Sequence, residues 1–124
     1  ASIVEREARV DSERAVIAGV FLSRIRCGKK LESCATVQYA LGEVRETLLY
    51  SDLEVENPYN TYIYEGLPPG PICSPGLPSI AASFHPDTLE GYLYFVSRND
   101  GTGQHLFART HNGHLSNIRL INSR

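Results

Sequence analysis

The chain opens with apolar residues at helical spacing. Ile3, Val4, Ala8 and Val10 alternate with Glu5, Arg6, Glu7 and Arg9, which predicts a helix over residues 1–10. Asp11 and Ser12 are suitable caps for a second helix over 13–27. Val16, Ile17, Val20, Phe21 and Ile25 form its buried stripe; Arg24 and Arg26 followed by Gly28 mark its end. A shorter helix is expected over 35–41, with Ser33 as cap and Gly42 as stop. Residues 43–57 read as a polar excursion with a helical turn after Ser51. Six of the seven prolines fall within 57–78, alongside Tyr59, Tyr62 and Tyr64. Proline at that density excludes a regular helix or central strand, and the tyrosines give the loop something to pack with, so it should be ordered. A helix over 79–84 stops at His85-Pro86. Aromatic and branched residues at 92–98 and 104–109 flank the turn "NDGTG", which predicts a β-hairpin. Thr110 is placed to cap a last helix ending near Ile121. The class is α+β: several helices packed with a small antiparallel sheet in one domain.

Composition narrows the function. With 12 basic and 14 acidic residues the net charge is −2 and the pI is about 6.1, which argues against a phosphate-tracking surface and hence against nucleic acid. No run of about 18 apolar residues is present. The chain has no methionine and begins within a helical pattern, so it is expected to be a fragment whose parent continues upstream. Cys27, Cys34 and Cys73 form no CxxC pair and lie at no zinc-ligand spacing, and the four histidines form no metal motif. No metal or other cofactor is expected. If any disulfide forms, Cys34 and Cys73 are the expected pair, each next to a motif described below.

Two carboxylates stand out in the first helix. Glu5 and Glu7 are two residues apart and cannot share a face. On a helical wheel Ser2, Arg6 and Arg9 define the wet side, Glu5 sits at its border, and Glu7 falls between Ile3 and Val4 in the apolar arc. A glutamate so placed either pairs with an arginine from another segment or serves as a carboxylic acid kept protonated by its surroundings, able to act as a general acid. Glu5 is expected to be a solvated residue paired with Arg9. The segment "YNTY", Tyr59 to Tyr62, offers an amide and a hydroxyl between two aromatic rings, a mixture suited to sugar binding or to a loop that bonds to itself.

The stretches "ASIVEREA", "VFLSRIRCGKKLES", "TVQYALG", "YNTYIYEGLPPGPI", "YLYFV" and "DGTGQHLFART" occur in the order and spacing of the catalytic region of the YceG-like endolytic murein transglycosylases, also called MltG. The resemblance runs from the first residue to about His114. It implies cleavage of peptidoglycan strands between N-acetylmuramic acid and N-acetylglucosamine with formation of a 1,6-anhydro end. It further implies that Glu7, the second glutamate of E-x-E, is catalytic, and that Tyr59, Asn60, Thr61, Tyr62, Gln38, Ser33 and His105 bind substrate. The implied partners are glycan strands and cell-wall synthesis proteins. The implied location is the cell envelope, at the extracytoplasmic face of the bacterial inner membrane, with an upstream single-pass anchor and a LysM-like region in the full-length parent. The chain departs from the family pattern at Cys34-Ala35, where Asp-Pro is common, at Cys73, where a small residue is usual, and at Leu115, where a polar residue is usual. The alternative function is a non-catalytic peptidoglycan-binding or scaffolding module.

Overall fold

The computed structural model describes residues 1–43 and 47–123. Helix α1 spans Ser2–Glu7, α2 Arg14–Arg26, α3 Cys34–Leu41, α4 Leu77–Phe84 and α5 His111–Asn122. Strands β1, Tyr94–Ser97, and β2, His105–Ala108, form a two-stranded antiparallel sheet, and one-turn 3₁₀ helices lie at Asp11–Glu13 and Asp52–Glu54. This is the α+β arrangement that the hydrophobic pattern predicts.

Helix α2 is the centre of the fold, with α1, α4 and β1 packed around it. Ile17, Val20 and Phe21 are buried as the stripe requires, but Ile25 is 37% exposed and Val16 is only half-buried. Ala18, Gly19 and Arg24 are buried in their place, because neighbours on several sides leave α2 no single wet face. Gly19 marks the tightest approach. A Cβ there would lie 1.9 Å from the carbonyl oxygen of Asp87, whose own N–H donates to the Ala15 carbonyl at 2.9 Å. The core joins Ile3 and Val4 of α1 and the following Ala8 to Ile17 and Phe21 of α2, Leu31, Ala35, Ile72 and Ala82. The proline-rich loop thus contributes Ile72 to the interior, and Pro78 begins α4 in the first turn, where its missing N–H costs nothing.

Local chemistry differs from expectation at three helix ends. Helix α1 stops at Glu7 rather than near residue 10, because Ala8 is extended at φ −77°, ψ 142°. Asp11 and Ser12 do not cap α2 through their side chains; a 3₁₀ turn precedes it, and Asp11 instead accepts from Arg14 Nε at 2.8 Å. Helix α4 begins at Leu77, two residues early. Gly42 ends α3 with φ +77°, as expected of a glycine stop, and Thr110 caps α5 by accepting from the Gly113 N–H at 3.0 Å. The turn over 52–54 follows Ser51 as predicted, while residues 44–46 of the polar excursion lie outside the described residues.

In the hairpin Phe95 pairs with Phe107 and Ser97 with His105. Its turn relies on left-handed Asn99, Gly101 and Gly103. Gly103 also packs on the segment that follows α1: a Cβ would come within 2.9 Å of the Arg9 Cβ. Helix α5 covers the sheet. No helix among the described residues is long and apolar enough to cross a membrane.

Candidate active site

The early end of α1 fixes the site. As the last residue of that helix, Glu7 projects into a cleft of about 880 Å³ between the α1–α3 side and the hairpin with its turn. Its Oε1 accepts from the Ser33 hydroxyl at 2.6 Å and from the Ala35 N–H at 3.2 Å. No arginine pairs with it among these contacts. Ser33 is the N-cap residue of α3, yet its hydroxyl makes no cap bond. It donates to Glu7, and the Glu7 carboxylate supplies the capping oxygen for the first turn of α3, where exposed N–H groups favour negative charge.

Behind Ser33 stands a buried hydroxyl relay. Thr61, 2% exposed, accepts from the Ser33 N–H at 2.8 Å and meets Thr36 Oγ1 at 2.8 Å. Thr36 already donates to the Ser33 carbonyl at 2.8 Å, so Thr61 is the donor of the threonine pair. The Thr61 carbonyl accepts from the Glu32 N–H at 3.2 Å. Asn60 is fully buried. Its amide donates to the carbonyls of Leu53 and Val55 at 3.0 and 2.9 Å, and its Oδ1 accepts from the Tyr62 N–H at 2.9 Å. Asn60 and Thr61 therefore face inward and shape the loop. Tyr59 turns toward the core and packs on Tyr39 with ring centroids 4.7 Å apart. Of the "YNTY" residues it is Tyr62 that lines the cleft, its hydroxyl 3.4 Å from Cys34 Sγ. Burial pushes the Tyr62 phenol well above its ordinary pKa, and burial likewise raises the Cys34 thiol.

Ser33, Gln38, Tyr62 and His105 thus join Glu7 around one cleft, whereas Tyr59, Asn60 and Thr61 do not line it. The sequence pattern marks all three by residue type, but hydrogen-bonding groups suited to a sugar are equally suited to a buried loop, and here the loop takes them.

Glu5 leaves α1 on another face, as its two-residue offset from Glu7 requires. Its Oε1 accepts from the Gly76 N–H at 2.8 Å and the Ser79 hydroxyl at 3.1 Å, at the start of α4, with Arg14 3.8 Å away. The Gly76 N–H, then Ser79, hold this carboxyl below its ordinary pKa. The expected Arg9 partner is replaced by Arg14, because α1 ends at Glu7 and the extended Ala8 takes Arg9 off the helix that would have set it one turn from Glu5. Arg6 and Arg9 are exposed at the cleft rim, while Ser2, placed with them on the wheel, accepts from the Ile72 N–H at 3.1 Å.

Other cleft residues carry no obvious sequence mark. Arg24, read as a last-turn basic residue, is 7% exposed; it donates to the Lys30 and Leu93 carbonyls, pairs with Glu32 at 3.3 Å and lies over the Tyr94 ring. Its spacing of three and four from Phe21 and Val20 was the available signal. His114 stacks on Tyr94 at 5.1 Å, and its Nδ1 has no hydrogen-bond partner among the described residues. Burial, then the charges of His111 and Arg24, lower its pKa. Glu13, at the end of its 3₁₀ turn, takes both the backbone N–H and the Nδ1 of His105. The three cysteines are free: Cys34 Sγ faces Tyr62, and Cys73 Sγ donates to the Ser2 carbonyl at 3.3 Å, so Cys34 and Cys73, the pair named in case any disulfide forms, are not joined. No group of His, Cys, Asp and Glu among the described residues could hold a metal ion.

A sequence model described as the YceG-like family matches residues 1–120. The chain is 44% identical over 101 residues to a Bacillus subtilis protein named endolytic murein transglycosylase, covering 82% of this chain and 28% of that protein. It is 35% identical over 124 residues to a Streptococcus pneumoniae protein of the same name, covering 95% of this chain and 22% of the other. The chain therefore spans about a quarter of the length of these relatives. A crystal structure of a YceG-like protein from Listeria monocytogenes superposes with a TM-score of 0.87 at 43% identity, covering 93% of this chain and 37% of that one.

Proposed function

This chain belongs to the YceG-like family, and we propose that it carries the catalytic centre of an endolytic murein transglycosylase that uses Glu7 as its single acid and base. The observation that carries this reading is the setting of Glu7. Among the carboxylates lining the cleft, Glu32 is paired with Arg24 and Asp100 is folded onto Thr102 in the hairpin turn. Glu7 is held at Oε1 by two uncharged donors, so a proton on Oε2 can be aimed at a ligand in the cleft.

In the proposed reaction, Glu7 gives its proton to the oxygen linking N-acetylmuramic acid to N-acetylglucosamine, and that bond breaks. The muramoyl C6 hydroxyl then attacks C1, Glu7 takes the hydroxyl proton, and the 1,6-anhydro ring closes. Atoms balance without water: one bond to C1 is exchanged for another, and Glu7 returns to its starting state. Two-carboxylate glycosidases need a second group to activate water or to attack the sugar; here the substrate's own hydroxyl fills that role. Acid–base assistance of this kind contributes roughly 10²–10⁴ in rate, and the remainder comes from holding the strand across the cleft. The site of action in this reading is the cell envelope, at the outer face of the inner membrane where new strands emerge.

Digestion of purified sacculi followed by mass spectrometry tests the proposal. Fragments ending in anhydro-muramic acid are expected. Water-added reducing ends would identify a hydrolase, and binding without products would identify a peptidoglycan-binding module.

A further inference from the structure

On the hairpin side of the cleft, one carboxylate from a distant turn grips one histidine at two points. Glu13 Oε2 accepts the His105 backbone N–H at 3.0 Å and Glu13 Oε1 meets His105 Nδ1 at 2.9 Å, across 92 positions of sequence. Both side chains are well shielded, 15% and 7% exposed. The Phe95 and His105 rings stand T-shaped, centroids 5.3 Å apart at 85°, and the Phe107 centroid lies at 6.3 Å. The ring therefore has one orientation, fixed by a charge-assisted bond and by aromatic packing.

An ionised carboxylate can only accept, so Nδ1 must carry the proton in this pair. A neutral imidazole has one N–H, and placing it at Nδ1 leaves Nε2 as a lone-pair acceptor. His105 lines the same cleft as Glu7. With the backbone N–H and Nδ1 both taken by Glu13, Nε2 is the polar atom that its side chain has left to offer a ligand.

We propose that Glu13 is a positioning residue: it locks His105 in the Nδ1–H tautomer so that Nε2 accepts a hydroxyl or amide proton from the glycan bound in the Glu7 cleft. This rests on the transglycosylase reading for the identity of the ligand, but the tautomer does not. A link made only to tie the 3₁₀ turn to β2 would be satisfied by the backbone bond. The second bond, from the ring, sets a chemical state of the imidazole that packing alone does not need.

Nitrogen-15 labelling of the histidines tests this directly. At mildly alkaline pH the His105 signals should show a protonated Nδ1 and an unprotonated Nε2. Adding an N-acetylglucosamine tetrasaccharide to the Glu7→Gln protein should then move the His105 Nε2 resonance and leave Nδ1 nearly still. Glu13→Gln should redistribute the proton toward Nε2 and raise KM on soluble glycan about tenfold, the size of one lost neutral hydrogen bond, with kcat within about twofold. An Nε2–H tautomer in the parent protein would overturn the proposal. So would a bound tetrasaccharide that leaves Nε2 unmoved, or a Glu13→Gln variant whose melting temperature and kcat fall together while KM stays the same. If Glu7→Gln instead cleaves like the parent, the catalytic reading fails while the tautomer result stands.

Discussion

Glu7 and Ser33 meet at 2.6 Å across 26 positions of sequence, the hydroxyl donating to the carboxylate. The bond changes the role of both residues. Ser33 gives up the local cap expected of a serine before a helix, and Glu7 gains a fixed orientation at the mouth of α3. The relay from Thr61 to the Ser33 backbone makes that orientation rigid, so the proline- and tyrosine-rich loop acts on the carboxylate through Ser33. Precise placement of an acid is worth more in rate than an extra contact to substrate.

Glu7→Gln keeps shape and hydrogen-bonding capacity but cannot deliver a proton. It should abolish release of anhydro-muropeptides while the protein still folds and still binds sacculi. Glu5→Gln should keep most of the activity and lose a few degrees of melting temperature, because Glu5 ties α1 to the start of α4. Parallel turnover and thermal melts on the two variants check both. An active Glu7→Gln beside an inactive Glu5→Gln would reverse the assignment.

Ser33→Ala removes the donor without touching the Thr61 bond to the Ser33 N–H. The carboxylate loses one of its two restraints, so kcat should fall about tenfold with little change in KM. Single-turnover assays at saturating glycan would read this. An unchanged kcat would mean that the Ala35 N–H alone suffices to orient Glu7.

The elements were legible in the sequence where a pattern repeats or a glycine or proline punctuates it. Gly42, Gly101, Gly103 and Pro78 sit where helix stop, turn and helix start require them. Glu7 was legible twice over, from the wheel and from the E-x-E motif, although it faces a polar cleft edge and not the apolar interior the wheel suggests. Asn60 was marked for the right loop but the wrong direction, since an amide suits a sugar and a buried turn equally. Glu13 was not legible at all: nothing local marks a residue whose side chain, among the described residues, bonds to a partner 92 positions away. Contacts of that length depend on how α2 and the hairpin cross, which residue type and spacing do not encode.

Asn60→Ala should destabilise the protein by about 3 kcal/mol, because it removes a fully buried amide that satisfies the Leu53 and Val55 carbonyls and the Tyr62 N–H. Tyr62→Phe, at the cleft, should leave the melting temperature nearly unchanged and reduce turnover. Denaturant unfolding beside glycan digestion separates the two. An Asn60→Ala protein of parental stability that fails to turn over would place the amide in contact with substrate after all.

His114 makes stability depend on pH in a defined direction. Its folded pKa lies below the ordinary 6.5 because burial, His111 and Arg24 disfavour the imidazolium, with Glu32 opposing. Between that lowered value and 6.5 the unfolded chain binds more protons than the folded one, so stability rises with pH through this window and is lost on acidification below it. His114→Gln removes this term together with its coupling to His111, while every other titrating group is common to both proteins. The melting-temperature difference between parent and variant should therefore be largest at neutral pH and shrink as the pH falls below about 6.5. Thermal melts in matched buffers from about pH 8 to about pH 5 measure it. A gap that stays constant, or widens on acidification, would show that His114 charges in the folded state as readily as in the unfolded chain.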